Sequence, residues 1–194
     1  SATASSTRTA RAGETDRAMQ IYGGLLLGIC FVWVLLCAGV AFLGARFRHP
    51  GLVDGARYGL YASAALLGAL AFLLSYAFVE HDFSNKYVAA YSDRGMSLVY
   101  LLAAFWGGEK GALLFWAVTL AGASALAVHQ TRDRDPRWTG LATGILLLCL
   151  DFFLVLMVFD SNPFATFLTR GGPADGQGIN PLLQNPAMTI HPPT

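Results

Sequence analysis

The strongest constraint on this chain is Ile21–Leu43, a run of 23 residues without a single charge. At about 1.5 Å of rise per residue, a helix of that length crosses the ~30 Å hydrocarbon core of a bilayer. The rival is a signal peptide, whose apolar core is about 7–15 residues. This run is longer, which favours a retained helix. Three more runs repeat the pattern. Tyr58–Val79 is also charge-free, Ala112–Val128 sits near the lower length limit, and Thr139–Phe159 is interrupted by Asp151. Charged residues make up 13% of the chain and mean hydropathy is +0.49. Soluble domains carry about 25% charge. The expected fold is therefore an all-α integral membrane domain of about four transmembrane helices.

The remaining stretches divide the chain into a flexible N-terminal tail (1–20), a four-span membrane domain (21–159) and a Gly- and Pro-rich tail (160–194). The chain begins at Ser1, so either its start is processed or it is a piece of something longer. The short connections Gly44–Arg57 and His129–Trp138 hold six Lys/Arg in 24 residues. The two tails and the long connection Glu80–Gly111 hold seven in 87. Positive charge is retained on the cytoplasmic side, so both termini and the long connection are expected outside. Within that connection, Met96–Trp106 is apolar but only 11 residues long. That is too short to span and fits a short interfacial helix.

Net charge is +1, which gives no general pull toward nucleic acid. No phosphate loop, nucleophile triad, zinc spacing or Cys-x-x-Cys-His appears. Cys30, Cys37 and Cys149 all lie in apolar runs and suit packing. Asp151 is a carboxylate within a span. It either carries function or is protonated or hydrogen-bonded against a neighbouring helix. Trp106–Trp116 combines two tryptophans, three glycines and the pair Glu109–Lys110 at the entry to the third span. Those charges are either solvated at a boundary, or Lys110 meets an anionic ligand or partner. His49 and His129 fall in the basic connections. His191 is followed by Pro192 and Pro193, which hold it extended. A stiff imidazole loses little freedom on binding a metal, and imidazole is a common axial ligand of haem iron. Upstream, Asn180 followed by Pro181 reads as the start of a short helix, ended by Pro186.

In order, the chain carries Asp82-Phe83-Ser84, Tyr87-Val88-Ala89 with Ser92, Trp106-Gly107-Gly108, Gly111, Leu113-Leu114 and Trp116. It continues with Asn162-Pro163-Phe164, Asn180-Pro181-Leu182-Leu183-Gln184 and His191-Pro192-Pro193. This order, with apolar spans between, resembles the N-terminal part of the CcmF-type cytochrome c haem lyases, including their nitrite-reductase-associated relatives. The resemblance implies a segment or split subunit of a lyase that attaches haem to apocytochrome c in the bacterial inner membrane. It implies haem b as substrate, with His191 as an axial ligand to its iron. The family's Trp-rich segment and its second extracytoplasmic histidine are not in this sequence. The second ligand is then expected from another polypeptide, with His81 as the weaker alternative. Implied partners are membrane lipid, the remainder of the lyase or a complementary chain, a haem chaperone, and apocytochrome c with its thiol-reducing partners. No catalysis by this chain alone is expected. The family's Trp-Gly-Gly usually continues with a polar residue and then Glu-Gly-Ser. Here Glu109 stands one place early, Lys110 takes the Glu position and Ala112 that of Ser. Two other classes stay open on the residues: a non-catalytic four-helix assembly scaffold, and a small proton- or solute-conducting subunit using Asp151.

Overall fold

The computed structural model describes residues 2–167 and 172–180, with side chains from Gln20 onward. It is all helical apart from one isolated bridge, Asn85 with Thr166. The elements are α1 (Ala2–Phe47), α2 (Pro50–Val79), α3 (Lys86–Tyr91), α4 (Leu98–Gly107), α5 (Glu109–Gln130) and α6 (Pro136–Phe159). Among the described residues, four helices are long and apolar enough to cross a membrane: Gln20–Phe47, Pro50–Val79, Glu109–Gln130 and Pro136–Phe159.

The helices outrun the apolar runs that mark them. Extending an existing helix costs far less than nucleating one, so a charge at a membrane boundary need not end it. Thus α1 reaches back to Ala2, through the stretch read as a tail. That stretch is rich in Ala, with Arg, Glu, Met and Gln, all good helix formers. The first basic connection shrinks to Arg48–His49, because α2 starts at Pro50, where a missing N–H costs nothing. Asp135 caps α6 by accepting from the Arg137 amide at 2.7 Å, with Pro136 at the first helical position. The short α3 was not anticipated. Its signal is Asn85, whose side chain accepts from the amides of Tyr87 and Val88. The apolar 11-residue stretch forms α4, of 10 residues.

The described residues fall into two compact units. One comprises Leu26–Ala71 and Leu113–Asp160, the bulk of the four long helices. Its buried positions recur every seven residues: Leu27, Val34 and Ala41; Val53, Leu60 and Leu67; Leu114, Ala121 and Val128; Thr143, Leu150 and Met157. That spacing is the seam of helices packed at a shallow left-handed crossing. Small residues let the backbones close up. A Cβ on Gly140 would lie 3.0 Å from the Ala41 carbonyl oxygen, and one on Gly144 would lie 2.9 Å from the Phe42 ring. On the other side of α1, Trp33 donates its indole N–H to the Gly59 carbonyl at 3.2 Å. The outward faces carry Ile29, Leu36, Leu126, Ile145 and Phe152, all exposed, as a lipid-facing surface would. The other unit comprises, among the described residues, 2–25, 72–112, 161–167 and 172–180, and it holds the motif residues described next.

Candidate functional site

At the centre of this unit is an amide–carboxylate junction. Gln20 near the middle of α1 donates through Nε2 to Asp82 Oδ2 at 2.7 Å. Its Oε1 accepts from Asn85 Nδ2, also at 2.7 Å. Asn85 Nδ2 makes a second bond, to the Pro163 carbonyl at 2.9 Å, while its Oδ1 caps α3. Asp82 Oδ1 accepts from the backbone and hydroxyl of Ser84 at 3.0 and 2.5 Å. Gln20, Asp82 and Asn85 are all buried. Because buried polar groups are costly unless paired, this fully paired set fixes three distant pieces of chain against one another.

Two further strands of chain dock on α3. Lys86 donates its amide to the Ala165 carbonyl at 2.9 Å, and Phe164 is buried with its ring against Gly23. The backbone amides of Gln177 and Gly178 donate to the carbonyls of Ala89 and Ser92 at 2.8 and 3.1 Å. Gly178 has φ 73°, a conformation glycine adopts without penalty.

The Trp106–Trp116 stretch is the joint between α4 and α5. Buried Tyr87 reaches it with its hydroxyl, which accepts from the Gly108 amide at 3.1 Å. The same oxygen lies 3.1, 3.1 and 3.2 Å from the carbonyls of Ala104, Phe105 and Gly108, any one of which can take its proton. Burial pushes the Tyr87 phenol well above its ordinary value, opposed by the Gly108 hydrogen bond. A Cβ on Gly108 would run into the ring of Tyr91, and one on Gly111 into the Phe105 carbonyl. Gly108 and Gly111 are therefore required by close approach, whereas a Cβ on Gly107 would meet only the tip of the Ile179 side chain at 3.3 Å. Glu109, displaced relative to the family pattern, accepts from the Ser161 hydroxyl at 2.7 Å.

The candidate residues from sequence fare differently. His191, with the short helix expected after Asn180, lies outside the described residues. Asp151 is buried on α6 with Oδ1 unpartnered among the described residues, as are Thr143 Oγ1, two turns earlier, and Ser124 Oγ. His49 is exposed, and His129 lies 3.4 Å from the Tyr61 hydroxyl. His81 has a left-handed backbone, φ 55°. Its Nδ1 faces the Val79 carbonyl at 3.1 Å, which selects the Nδ1–H tautomer and leaves a lone pair on Nε2. That Nε2 is buried with no hydrogen-bond partner among the described residues. No group of three or more His, Cys, Asp or Glu able to hold a metal occurs among the described residues. The geometry thus builds a buried platform, and no acid–base constellation occurs among the described residues. Sequence reasoning missed Gln20 altogether, since nothing local marks an amide in a helix as the partner of residues 62 and 65 positions on.

No family model matches the chain. Individual relatives do. It is 40% identical over 155 residues to the probable cytochrome c-type biogenesis protein NrfE of Escherichia coli K12, covering 79% of this chain and 27% of the relative. It is 35% identical over 175 residues to the cytochrome c-type biogenesis protein CcmF of Pseudomonas fluorescens, covering 87% of this chain and 25% of that protein. Among solved structures, the cytochrome c haem lyase CcmF is similar at TM-score 0.69 and 25% identity, over 77% of this chain and 25% of that one. The chain thus spans about a quarter of the length of the relatives it matches. Bacterial relatives and four membrane-capable helices support a location in a bacterial inner membrane. Sequence similarity and backbone likeness agree over most of the chain: it belongs to the CcmF/NrfE-type cytochrome c biogenesis proteins and corresponds to an N-terminal part of that type.

Proposed function

We propose that this chain is the N-terminal segment or a split subunit of a cytochrome c haem lyase, and that it helps hold haem for covalent attachment to apocytochrome c. The observation that carries this is the junction around Asn85, in which Asp82, Ser84 and Pro163 of the CcmF-type motifs are held by paired, buried polar groups into one platform. The platform grips residues 162–167 and 176–178, the stretch of chain leading to His191. In this reading both termini and the α3–α4 region are extracytoplasmic, and α4 lies at the interface with Leu98, Val99 and Leu102 outward. His191 supplies one axial ligand to the iron of haem b, the substrate. A histidine of the remaining lyase or of a complementary chain supplies the other. The chain's contribution is to orient haem so that its vinyl groups meet the apocytochrome thiols. A haem chaperone, the apocytochrome and its thiol-reducing partners complete the assembly. The test is co-expression with a chain carrying the Trp-rich segment, followed by the absorption spectrum of the purified complex. A bis-histidine haem spectrum is expected, lost or shifted in His191→Ala and retained in His49→Ala. An unchanged spectrum in His191→Ala refutes the ligand role.

The scaffold reading rests on the unpartnered polar atoms of Asp151, Thr143 and Ser124 in the spans, which suit hydrogen bonds to a further membrane chain. It predicts that partners are retained after deletion of Asp160–Thr194.

A further inference from the structure

Where α1 ends and α6 begins, the four-helix unit contains a recess of about 350 Å³ lined by Phe42, Ala45, Arg46, Arg48, Arg137 and Leu141. Three guanidinium-bearing residues line one recess with no carboxylate among them. The ion pairs among the described residues lie elsewhere, Arg57 with Asp54 at 2.9 Å and Arg132 with Asp133 at 3.6 Å. The nearest acid in sequence, Asp135, is engaged in capping α6 through the Arg137 amide. Arg46 also packs over the Phe47 ring, 5.9 Å from its centroid.

The backbone at Arg48 adds a second observation. Arg48 has φ 50°, and the His49 amide bonds back to the Gly44 carbonyl at 3.0 Å. This is the helix-ending motif in which glycine normally takes the left-handed position. An arginine there accepts backbone strain that glycine would avoid. Retaining basic loops on one side of a membrane needs only their charge. It needs neither an arginine in a glycine position nor three arginines around one recess.

The rest of the wall is apolar, formed by Phe42, Ala45 and Leu141, with exposed Leu43, Phe47 and Trp138 nearby in sequence. The recess sits at the ends of two membrane-capable helices, Gln20–Phe47 and Pro136–Phe159. Guanidinium forks match phosphate oxygens in pairs, and basic recesses at a membrane boundary suit phospholipid headgroups. We propose that this recess is a binding site for the phosphate headgroup of an anionic glycerophospholipid. The three arginines engage the phosphate, and the acyl chains follow the apolar wall toward the bilayer. A free phosphate would use the cations and leave that wall bare.

The test uses the full chain in detergent, delipidated and titrated with phosphatidylglycerol, phosphatidylcholine or inorganic phosphate, with binding read by native mass spectrometry. Phosphatidylglycerol is expected to bind in preference to phosphatidylcholine. Each arginine removed costs about fivefold in affinity, so Arg46→Gln/Arg137→Gln loses about twenty-five-fold. Arg48→Gly is the decisive variant, because it relieves backbone strain while removing a charge. It should keep or raise thermal stability and still lose about fivefold in binding. Arg132→Gln, outside the recess, should bind as the unmodified chain does. Equal phosphatidylglycerol binding in the double variant overturns the site. An equal loss in Arg132→Gln also overturns it, in favour of diffuse surface charge. Displacement of the lipid by inorganic phosphate at equal concentration overturns the lipid assignment.

Discussion

Replacing Asn85 with alanine tests whether the junction holds its unit together. The side chain does two jobs at once. Its Oδ1 caps α3 by accepting from Tyr87 at 2.7 Å and Val88 at 3.2 Å. Loss of such a cap costs about 1 kcal/mol. Its Nδ2 serves Gln20 Oε1 and the Pro163 carbonyl. Alanine leaves both acceptors without that donor in a buried site, at about 1–3 kcal/mol each. Allowing for partial relaxation, the total is roughly 3–5 kcal/mol, against a net stability of ~5–15 kcal/mol for a typical domain. The assay is amide hydrogen exchange on the full chain in detergent or nanodiscs. Residues 86–91 and 162–167 should exchange about a hundredfold to a few thousandfold faster, with little change in the middle of α6. Asn85→Asp separates the two jobs. It keeps the capping oxygen, so α3 amides stay partly protected. It still loses both donated bonds and sets a second carboxylate near Asp82, so 162–167 should open as in the alanine variant. A loss below about 1 kcal/mol in Asn85→Ala, or faster exchange spread evenly over the four long helices, would refute the reasoning.

Tyr87 gives a pH signature. Its phenol is raised by burial from an ordinary value of 10.0, so the folded chain holds the proton that the unfolded chain releases. The stabilisation is complete below about pH 10 and falls by about 1.4 kcal/mol per unit above it. Alkaline unfolding followed by exchange at 104–111 should show this slope, and Tyr87→Phe should flatten it while lowering stability by about 1–3 kcal/mol at neutral pH through the orphaned Gly108 amide. Gly111→Ala forces a Cβ onto the Phe105 carbonyl and should open the α4–α5 joint in the same exchange experiment. Gly122→Ala, whose Cβ meets nothing within 4 Å, should leave thermal stability unchanged or raise it by about 0.5–1 kcal/mol.

The sequence alone determined how many times this chain can cross a bilayer. A helix satisfies its own backbone groups in lipid, so a long uncharged run suffices to mark a span, and all four runs became long helices. Their ends were less legible. Glu109 and Lys110 read as boundary charges before a helix, yet they form its first turn, because helix propagation does not stop at a charge. Nor could the buried face of each span be read from the runs. In a soluble helix polar residues mark the outside, but here Ile145 faces out and Leu147 faces in, and both are apolar. Only packing selects the seven-residue seam. The motif residues were visible as a list, Asp82, Tyr87, Trp106 to Gly111 and Asn162 to Phe164. Their joint purpose was not, because Gln20 joins them across more than sixty residues and Tyr87 closes a turn twenty-one residues away. The three arginines likewise read as two separate basic connections until α1 and α6 brought Arg46, Arg48 and Arg137 to one recess. Local composition sets which segments enter the membrane, and contacts between distant residues decide what those segments hold in place.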